Sequence, residues 1–368
     1  MTEFTTDFAP RLHENFQFNK NKLNETGLVQ LATLYINEGE PYEEQIGEFI
    51  LEWLDDEKDY VEVKTSGSTG TPKIIQIKKE YMVNSAKATA KFFKLPEETT
   101  ALLCLPATYI AGKMMLVRAM VLGWHLESVP PKSNPLDQVY KRFDFCAMTP
   151  FQLDNSLARL HLIQKLIVGG GAVSVHLKRL VQGISTKIYE TYGMTETVTH
   201  IAARRINSKK SRKKALPFKV LNNISVSQDD RNCLVIKAPM VSEEIIVTND
   251  VVELVTYKKF FWKGRIDHVI NSGGVKIHPE QVENKLQTII LQRFFVTSLP
   301  DDALGDRLIL FIEAEFNEEV LEHLTEEIKN SKKLEKFEKP KKIYFVEKFE
   351  ETHTGKVDRI RTLKARLT

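Results

Sequence analysis

The residues best suited to chemistry begin with a run rich in glycine and hydroxyl side chains, Thr65–Lys73, which we place between a predicted strand and a predicted helix. Glycines let the backbone turn tightly with its N–H groups pointing inward, hydroxyls add donors, and a lysine adds positive charge. The run therefore predicts a concave site for a polyphosphate, although it lacks the Gly-Lys-Ser/Thr of the Walker loop. A flexible linker is the alternative, and the Pro-Lys ending disfavours it. The residues of this site are Thr65, Ser66, Gly67, Ser68, Thr69, Gly70, Thr71 and Lys73.

A second chemical segment follows the predicted strand Lys187–Thr191 and contains Tyr192, Thr195 and Glu196. An aromatic ring there can offer a flat face to a base, a hydroxyl can reach a phosphate, and a carboxylate can hold Mg²⁺ shared with phosphate oxygens. Upstream, Gly169–Gly171 ends another predicted strand, where a ligand could approach the backbone closely. A turn with only a structural role is the alternative for each segment taken alone.

Two short motifs in the last third of the chain also carry charged groups suited to catalysis or binding. They are Gly264–Asp267, with its arginine and aspartate, and His353–Lys356, with its lysine. Taken singly, a helix cap explains Asp267 and a solvated surface explains Lys356.

Alternating strand-like and helix-like segments place these motifs. After a predicted helix over Pro41–Tyr60, a strand over Tyr60–Thr65 and a helix from Lys79, the segments are, in order, Ala101–Leu105, Lys113–Leu122, Phe143–Met148, Leu162–Val168, Val173–Val181 and Lys187–Tyr192. Alternation of this kind predicts an α/β fold with a mostly parallel sheet.

The pattern changes twice in the second half of the chain. From Asn222 onward, short apolar runs at Ile224–Val226, Cys233–Ile236, Glu244–Thr248 and Val251–Val255 predict a β-rich subdomain. The tail predicts helices over His278–Leu291 and Glu318–Lys329, with strands at Phe294–Ser298, Leu308–Glu313 and Lys342–Glu347. We therefore divide the chain into a large N-terminal domain (1–263), a hinge (264–274) and a small α+β C-terminal domain (275–368).

Composition excludes several classes of protein. The 368 residues are 42% hydrophobic and 27% charged, which fits a globular protein with a real core rather than a disordered chain. The formal charge of +3 is too small to predict a polyanionic partner. Three cysteines without a CxxC pattern favour reduced thiols over a zinc site or disulfides. With no signal peptide or membrane span visible, we expect a cytoplasmic enzyme.

The motifs taken together resemble the core motifs of the adenylate-forming superfamily, which includes acyl-CoA synthetases, adenylation domains of peptide synthetases and luciferases. The segments that carry the resemblance, in this order, are Thr65–Lys73, Tyr192–Thr197, Thr248–Asp250, Gly264–Asp267 and Thr354–Lys356. The resemblance covers roughly residues 60 to 360. It implies an AMP-forming acid–thiol ligase that uses ATP, Mg²⁺ and CoA.

For the nucleotide, the resemblance implies a role for each segment. The Thr65–Lys73 loop would hold the β- and γ-phosphates of ATP, and Tyr192 would stack on adenine. Thr195 would contact the α-phosphate and Glu196 would bind Mg²⁺, both next to the reacting atoms. The glycines that would border the nucleotide are Gly170 and Gly171.

The resemblance also implies a mobile C-terminal domain. Asp250 would take the ribose hydroxyls with Arg265 nearby, and Asp267 would be the pivot of domain rotation. Lys356 would be the catalytic lysine of the mobile domain. The turn Ser272-Gly273-Gly274 would border the CoA channel after rotation.

Three departures from the family pattern bear on the substrate. The phosphate loop begins early, so the N-terminal domain is shortened; Tyr109 takes the likely gate position; and Asn249 replaces a glycine. The compact chain most resembles the short o-succinylbenzoate–CoA ligases of menaquinone biosynthesis. That acid has two carboxylates, of which one is activated and the other needs an anchor. Lys113 and Arg118 are candidate anchors, and a solvent-facing helix explains them equally well.

Other functions remain open at this point. Another aryl- or short-acyl-CoA ligase, or an adenylation enzyme loading a carrier protein, shares the same chemistry. The basic run Arg204–Lys214 could bind nucleic acid or a membrane surface, but a solvated loop is favoured because aromatic side chains are not interleaved with it. A non-catalytic nucleotide binder is disfavoured by the full set of charged motif residues. We therefore expect small-molecule partners (a carboxylic acid, ATP and CoA), no nucleic acid and no membrane insertion.

Overall fold

The computed structural model describes residues 11–64, 74–351 and 357–367. Its helices are α1 (Glu25–Glu38), α2 (Pro41–Leu54), α3 (Lys79–Phe93), α4 (Ile110–Leu122), α5 (Pro150–Asn155), α6 (Val175–Leu180), α7 (Lys209–Lys213), α8 (Pro279–Leu286), α9 (Glu318–Asn330) and α10 (Arg359–Leu367). Its strands are β1 (Gln17–Phe18), β2 (Asn21–Lys22), β3 (Tyr60–Lys64), β4 (Ile74–Lys78), β5 (Thr100–Leu103), β6 (His125–Ser128), β7 (Phe143–Met148), β8 (Ile163–Val168), β9 (Lys187–Gly193), β10 (His200–Arg205), β11 (Phe218–Val220), β12 (Ser225–Gln228), β13 (Cys233–Lys237), β14 (Ile246–Thr256), β15 (Lys259–Arg265), β16 (Ile270–Ser272), β17 (Val275–Ile277), β18 (Phe294–Asp301), β19 (Gly305–Glu313) and β20 (Lys342–Val346). Short 3₁₀ turns lie at Leu157–Leu162, Thr195–Thr197, Ile266–His268 and Lys336–Glu338.

One large sheet organises most of the chain. Its strand order is β12-β13-β14-β15-β11-β10-β9-β8-β7-β5-β6-β1-β2. The strands from β9 to β1 in this order pair in parallel, and the remaining pairs are antiparallel. This arrangement confirms the predicted α/β class with a parallel sheet and a β-rich region. It adds that the β-rich region continues the same sheet through β10, β11 and β15.

The parallel strands are apolar on both faces because helices cover both faces. Along β7, Phe145 and Ala147 face the layer formed by α3 and α4, whereas Cys146 and Met148 face α5 and α6. Cys104, just beyond β5, lies on the second face with its sulfur 3.7 Å from that of Cys146. Both cysteines are buried thiols.

Helix α2 shows why a predicted helix ends early. Pro41 stands in the first turn, and the Glu43 side chain accepts a hydrogen bond from the Glu40 N–H, so the start at Pro41 is as predicted. The helix ends at Leu54 rather than at Tyr60. There the Asp55 carboxylate accepts from the Glu57 N–H at 2.9 Å, a local bond that competes with helical pairing.

A smaller sheet and its helices form the last hundred residues. Its strand order is β17-β16-β19-β18, and β20 pairs in parallel with β19. The predicted helices and strands of this region are confirmed with small shifts, such as Pro279–Leu286 for the helix predicted over His278–Leu291. The β16–β17 hairpin and α10 were not predicted.

Two further differences concern long elements. Helix α1 was not predicted, because only Leu28 and Ala32 of its residues are buried and its apolar stripe is weak. Two predicted strands, Glu244–Thr248 and Val251–Val255, form the single strand β14, whose pairing continues across Asp250 with local irregularities. Within the described ranges, no helix is long and apolar enough to cross a lipid bilayer.

Candidate active site

The carboxyl ends of four parallel strands bring the central motifs to one edge of the large sheet. Strand β9 ends at Gly193, β8 leads into Gly169–Gly171, β7 leads into Thr149, and β5 leads into Leu105. Because neighbouring parallel strands end on the same side, their following loops lie together, and such edges are where α/β folds bind ligands. A cleft of about 200 Å³ opens beside the loops that follow β5 and β7.

Close backbone packing at this edge requires glycine at two positions. A Cβ at residue 169 would lie 2.6 Å from the Thr191 hydroxyl, and one at Gly193 would lie 2.4 Å from the Thr199 carbonyl. The Thr191 hydroxyl donates to the Val168 carbonyl at 3.0 Å, which ties the ends of β8 and β9 together. Next to this contact, Gly170 has a φ of +81° and open space beside its Cα. The backbone at Gly170 is therefore open on this side, and ligand approach there stays a prediction.

The predicted base-stacking and ribose-binding residues are in direct contact. The Tyr192 hydroxyl donates to Asp250 at 2.6 Å, and the Trp262 indole N–H donates to the other carboxylate oxygen at 3.0 Å. The Thr248 hydroxyl accepts from the Asp250 N–H at 3.1 Å. Burial raises the pKa of Tyr192 well above its usual value, and the Asp250 charge raises it further. Tyr192 is therefore a neutral donor to the Asp250 side chain.

A tight turn presents Thr195 and Glu196. The Thr197 hydroxyl accepts from the Met194 N–H at 3.0 Å and closes the 3₁₀ turn Thr195–Thr197. Buried Val198 follows with a φ of +63°, which a β-branched residue adopts only at a cost of about 1–3 kcal/mol. Glu196 is exposed, and its carboxylate has no hydrogen-bond partner among the residues that the structure describes. Its oxygens are available to a cation.

Arg265 and Asp267 form a polar junction with Asn249 at the end of β15. Arg265 pairs with Asp250 across the β14–β15 ladder and donates to Asp267 at 2.7 Å. The Asn249 amide donates to both Asp267 oxygens at 3.2 and 3.3 Å. The hydrogen bond from Arg265 holds the pKa of Asp267 below its usual value. Asn249, noted only as a departure from the family pattern, thus contacts the predicted pivot.

The predicted phosphate loop, Thr65–Lys73, and the predicted catalytic lysine, Lys356, lie outside the described residues, but the residues that flank them are described. Strands β3 and β4 pair antiparallel, with Lys64 opposite Ile74, so residues 65–73 connect two strands of a hairpin. The prediction that a helix follows this loop directly is wrong, because the alternating run Ile74–Lys78 forms a strand before α3 begins. Lys356 lies in the segment between Glu351 and Val357, which form an isolated antiparallel bridge.

The three candidate residues for the acyl pocket lie on or beside α4 and face different surroundings. Tyr109 precedes the helix and is 37% exposed. Lys113 is buried and forms an ion pair with Glu52 of α2 at 2.7 Å, with its ammonium over the Phe49 ring. Arg118 follows five positions later, about 140° around a helix, and points toward β10. The structure therefore does not bring Lys113 and Arg118 together.

Arg118 is 1% exposed, and no carboxylate lies within ion-pair distance of it among the described residues. Its guanidinium donates to the Thr199 hydroxyl at 3.4 Å and to the Met115 sulfur at 3.7 Å, while its Nε has no partner. Burial lowers the pKa of Arg118 to about 9, which still leaves it charged at neutral pH. Burial and the Arg118 charge hold the pKa of neighbouring His200 well below its usual value, so that ring is neutral.

The predicted CoA-channel turn is the tip of the β16–β17 hairpin. Gly273 and Gly274 both have positive φ values, +59° and +79°, as a two-residue hairpin turn requires. Ser272 is buried beneath the turn, and the Phe337 ring lies 3.3 Å from the position of a Cβ on Gly273. A side chain at either glycine would be strained.

Sequence reasoning missed two residues that the structure connects to the site, Trp262 and Glu190, and gave Asn249 no role. Trp262 lies opposite Val252 across the β14–β15 ladder and reaches Asp250 only because β14 and β15 pair in this register. Glu190 stands two residues before Tyr192, so the two side chains share a face of β9. A charged residue inside an apolar strand was the available signal for Glu190.

Comparisons with known proteins identify the family of this chain. A family model described as AMP-binding enzyme matches residues 19–233. The 2-succinylbenzoate–CoA ligase of Enterococcus faecalis is 25% identical over 80% of this chain and 67% of its own length. The ligase of the same name from Lactococcus lactis is 23% identical over 82% of this chain and 70% of its own.

Two solved structures of AMP-forming or coenzyme A-linked ligases also resemble this chain. An acyl-CoA synthetase (AMP-forming)/AMP-acid ligase II-like protein from Dyadobacter fermentans is 36% identical over 91% of this chain and 97% of that one, with a TM-score of 0.60. An O-succinylbenzoate coenzyme A synthetase of Bacillus subtilis, solved with ATP and magnesium ion, shares the fold at 19% identity and a TM-score of 0.69 over 82% of this chain and 69% of its own. The family model matches more than half of this chain, and the Dyadobacter protein is 36% identical over 91% of this chain. This chain therefore belongs to the family of AMP-binding enzymes.

Proposed function

We propose that this chain is an ATP-dependent carboxylic acid–CoA ligase that works through an acyl-adenylate, with o-succinylbenzoate as its acid. The names of the curated relatives support this substrate. The observation that carries it is Arg118, a buried guanidinium that lacks a carboxylate in the described structure. A charge so placed costs free energy unless an anion neutralises it, and a substrate with a second carboxylate supplies that anion.

The edge of the large sheet is the proposed nucleotide site. The contact between Tyr192 and Asp250 places an aromatic face beside a carboxylate that can accept from ribose hydroxyls. Gly170 and Gly171 lie at the end of the neighbouring strand, where the backbone is accessible. Thr195 lies in the turn after Tyr192, within reach of a phosphate bound at this edge.

The residues present fit a magnesium ion that accompanies ATP. Magnesium prefers hard oxygen ligands and is commonly held by one or two carboxylates together with substrate phosphates. Exposed Glu196 meets this requirement, and we propose it as the protein ligand. When bound, the ion would neutralise charge on the phosphates.

In the first half-reaction, the acid's carboxylate attacks the α-phosphorus of ATP and pyrophosphate leaves. Negative charge then grows on the bridging and non-bridging oxygens, and an ammonium placed there stabilises charge present chiefly in the transition state. We assign this role to Lys356 on the strength of its motif. The loop Thr65–Lys73 is assigned to the leaving phosphates on the same grounds.

In the second half-reaction, a thiol attacks the acyl carbon and AMP leaves, so the ammonium is no longer needed. We propose that residues 275–368 rotate about Asp267 between the two steps, with 264–274 as the hinge and Ser272-Gly273-Gly274 facing the CoA thiol. The bonds that Asp267 makes to Arg265 and Asn249 lie at this proposed pivot. The Arg265 and Asp267 side chains are exposed, so their hydrogen bond can break and re-form as the C-terminal residues rotate.

The acyl end of the site lies near α4 and β10. We keep Arg118 as the proposed anchor for the second carboxylate and Tyr109 as the gate residue. Lys113 is engaged by Glu52, and its ion pair holds α2 against α4. For that reason we no longer assign Lys113 to the acyl pocket.

The test is pyrophosphate release from Mg·ATP, screened over o-succinylbenzoate, benzoates and short and medium fatty acids, with and without CoA. We expect release with o-succinylbenzoate and a CoA thioester detectable by mass. Release with a different acid would keep the chemistry and overturn the substrate. Release without transfer to CoA would favour a carrier-protein acceptor, and no release with any acid would overturn the ligase proposal.

A further inference from the structure

A cluster of three charges surrounds the buried carboxylate of Glu190, two residues before Tyr192 on β9. Glu190 of β9 is 3% exposed and contacts Lys178 of α6 at 3.0 Å and Arg204 of β10 at 2.7 Å. Burial alone raises the pKa of Glu190, but the two cations outweigh it and hold the pKa below its usual value. We refer to Lys178, Glu190 and Arg204 as the Glu190 cluster. None of the motif roles described above involves it.

The cluster holds the loop that follows β8. The Glu190 carboxylate accepts from the Val173 N–H at 3.1 Å, two residues beyond Gly171. Lys178 binds the same carboxylate from α6, the helix that the loop enters. Val173, just before α6, and Lys178, within α6, are therefore both held by the Glu190 side chain on β9.

The cluster also reaches the tyrosine that would stack on adenine. The Arg204 guanidinium lies 4.3 Å over the Phe218 ring, and the Phe218 ring lies 5.9 Å from that of Tyr192. Tyr192 in addition contacts Phe260 edge-on at 5.2 Å. The contact of Arg204 with Phe218, and the packing of Phe218 and Phe260 against Tyr192, thus limit how far the Tyr192 ring can shift.

We infer that Glu190 is a positioning residue for the nucleotide: it sets the distance between the glycine loop Gly169–Gly171 and Tyr192, the two walls proposed to border adenine. This inference rests on the proposed function. A preorganised site binds more tightly because binding no longer has to order its walls. Loss of Glu190 should therefore weaken ATP binding and leave the acyl end of the site unaffected.

The first variant is Glu190→Gln, which keeps the shape of the side chain. Three donors (the Val173 N–H, Lys178 and Arg204) then compete for one amide oxygen, so the loop loses its fixed position. We expect the dissociation constant of Mg·ATP, measured by equilibrium dialysis, to rise about tenfold. The KM for the acid at saturating ATP should stay within twofold of wild type.

A matched control and a second variant separate positioning from folding. Glu52→Gln breaks a second, partly buried lysine–glutamate pair, between α2 and α4, and should lower stability without changing ATP affinity. The triple variant Lys178→Met, Glu190→Met and Arg204→Met removes every charge of the cluster, so it should regain stability toward urea while ATP binding stays weak. This second variant also covers the case in which Glu190→Gln does not fold.

The outcomes distinguish the two proposals. If wild-type protein binds no Mg·ATP, the proposed function fails, and this inference fails with it. If wild type binds and Glu190→Gln binds equally well, only the inference is overturned. A triple variant that regains ATP affinity together with stability would also overturn it, since the cluster would then act on folding alone.

Discussion

Two buried charges, Glu190 on strand β9 and Arg118 on helix α4, have opposite surroundings. Glu190 is held by two cations and a backbone N–H, whereas in the described part of the chain Arg118 has only a hydroxyl and a sulfur within reach. Both are at most 3% exposed, so solvent does not compensate either of them. A buried charge with its full set of partners belongs to the architecture of the protein. A buried charge without them is where we expect a ligand to supply the missing partner.

Lys356 carries a third charge, which differs from the two buried ones because its proposed role is confined to the transition state. Lys356→Ala should lower the rate of acyl-adenylate formation by about 10²–10³-fold. Thioester formation from preformed adenylate should stay largely intact, since the leaving group there is AMP. Separate single-turnover assays of the two steps measure this directly, and equal losses in both would contradict the role.

Removing the partnered charge should cause the largest loss of stability. Glu190→Gln leaves Lys178 and Arg204, whose side chains are 25% and 16% exposed, without a carboxylate, so the free energy of unfolding should fall by about 2–3 kcal/mol, less than for a fully buried pair. Urea denaturation followed by circular dichroism checks the value. A loss below about 1 kcal/mol, the range of exposed ion pairs, would mean that the cluster is hydrated in solution.

Removing the unpartnered charge of Arg118 should raise the free energy of unfolding, whereas removing the partnered charge of Glu190 should lower it. Arg118→Met eliminates a buried cation that has no carboxylate in the described structure, so the ligand-free protein should become about 1–3 kcal/mol more stable. The matched control is Arg204→Met, which removes an arginine that does have a carboxylate partner and should destabilise. If both variants destabilise equally in urea, the contrast between the two charges does not hold.

The smallest predicted effect concerns His200, whose ring stays neutral beside Arg118. Its pKa is lowered in the folded protein, so below pH 6.5 the unfolded chain binds a proton that the folded chain does not. The free energy of unfolding should therefore fall as the pH drops below that value, by at most about 1.4 kcal/mol per pH unit. His200→Gln should remove this part of the slope, measured by urea denaturation between about pH 5 and 7.5. An unchanged slope would place a compensating anion near the ring.

The sequence predicted β5, β7, β8 and β9 of the parallel sheet, because strands buried on both faces are apolar runs, but it missed the short strands β1 and β6. Strand β7 was predicted with its observed bounds, Phe143–Met148. The sequence did not predict strand β4 (Ile74–Lys78). Ile74 is largely exposed, and the run is short and lies next to a helix. Helix α1 was missed because its apolar stripe is weak.

For the candidate site, the family resemblance implied that Tyr192 and Asp250 each bind part of the nucleotide, and the structure shows that their side chains are in contact. Motifs could not show which charges are paired, because pairing depends on contacts between distant segments. Lys113 and Arg118 are alike in sequence, each a cation within an apolar helix. Only the position of Glu52 on α2 separates them.

The most direct test of the account is substrate preference in wild type and Arg118→Met. The assay compares kcat/KM for pyrophosphate release with o-succinylbenzoate and with two analogues that each lack one carboxylate, benzoylpropionate and an acylbenzoate. We expect wild type to prefer the diacid by about 10–100-fold and the variant to lose that preference while retaining activity on the accepted monoacid. A diacid preference that survives unchanged in Arg118→Met would contradict the assignment of this buried charge to the substrate.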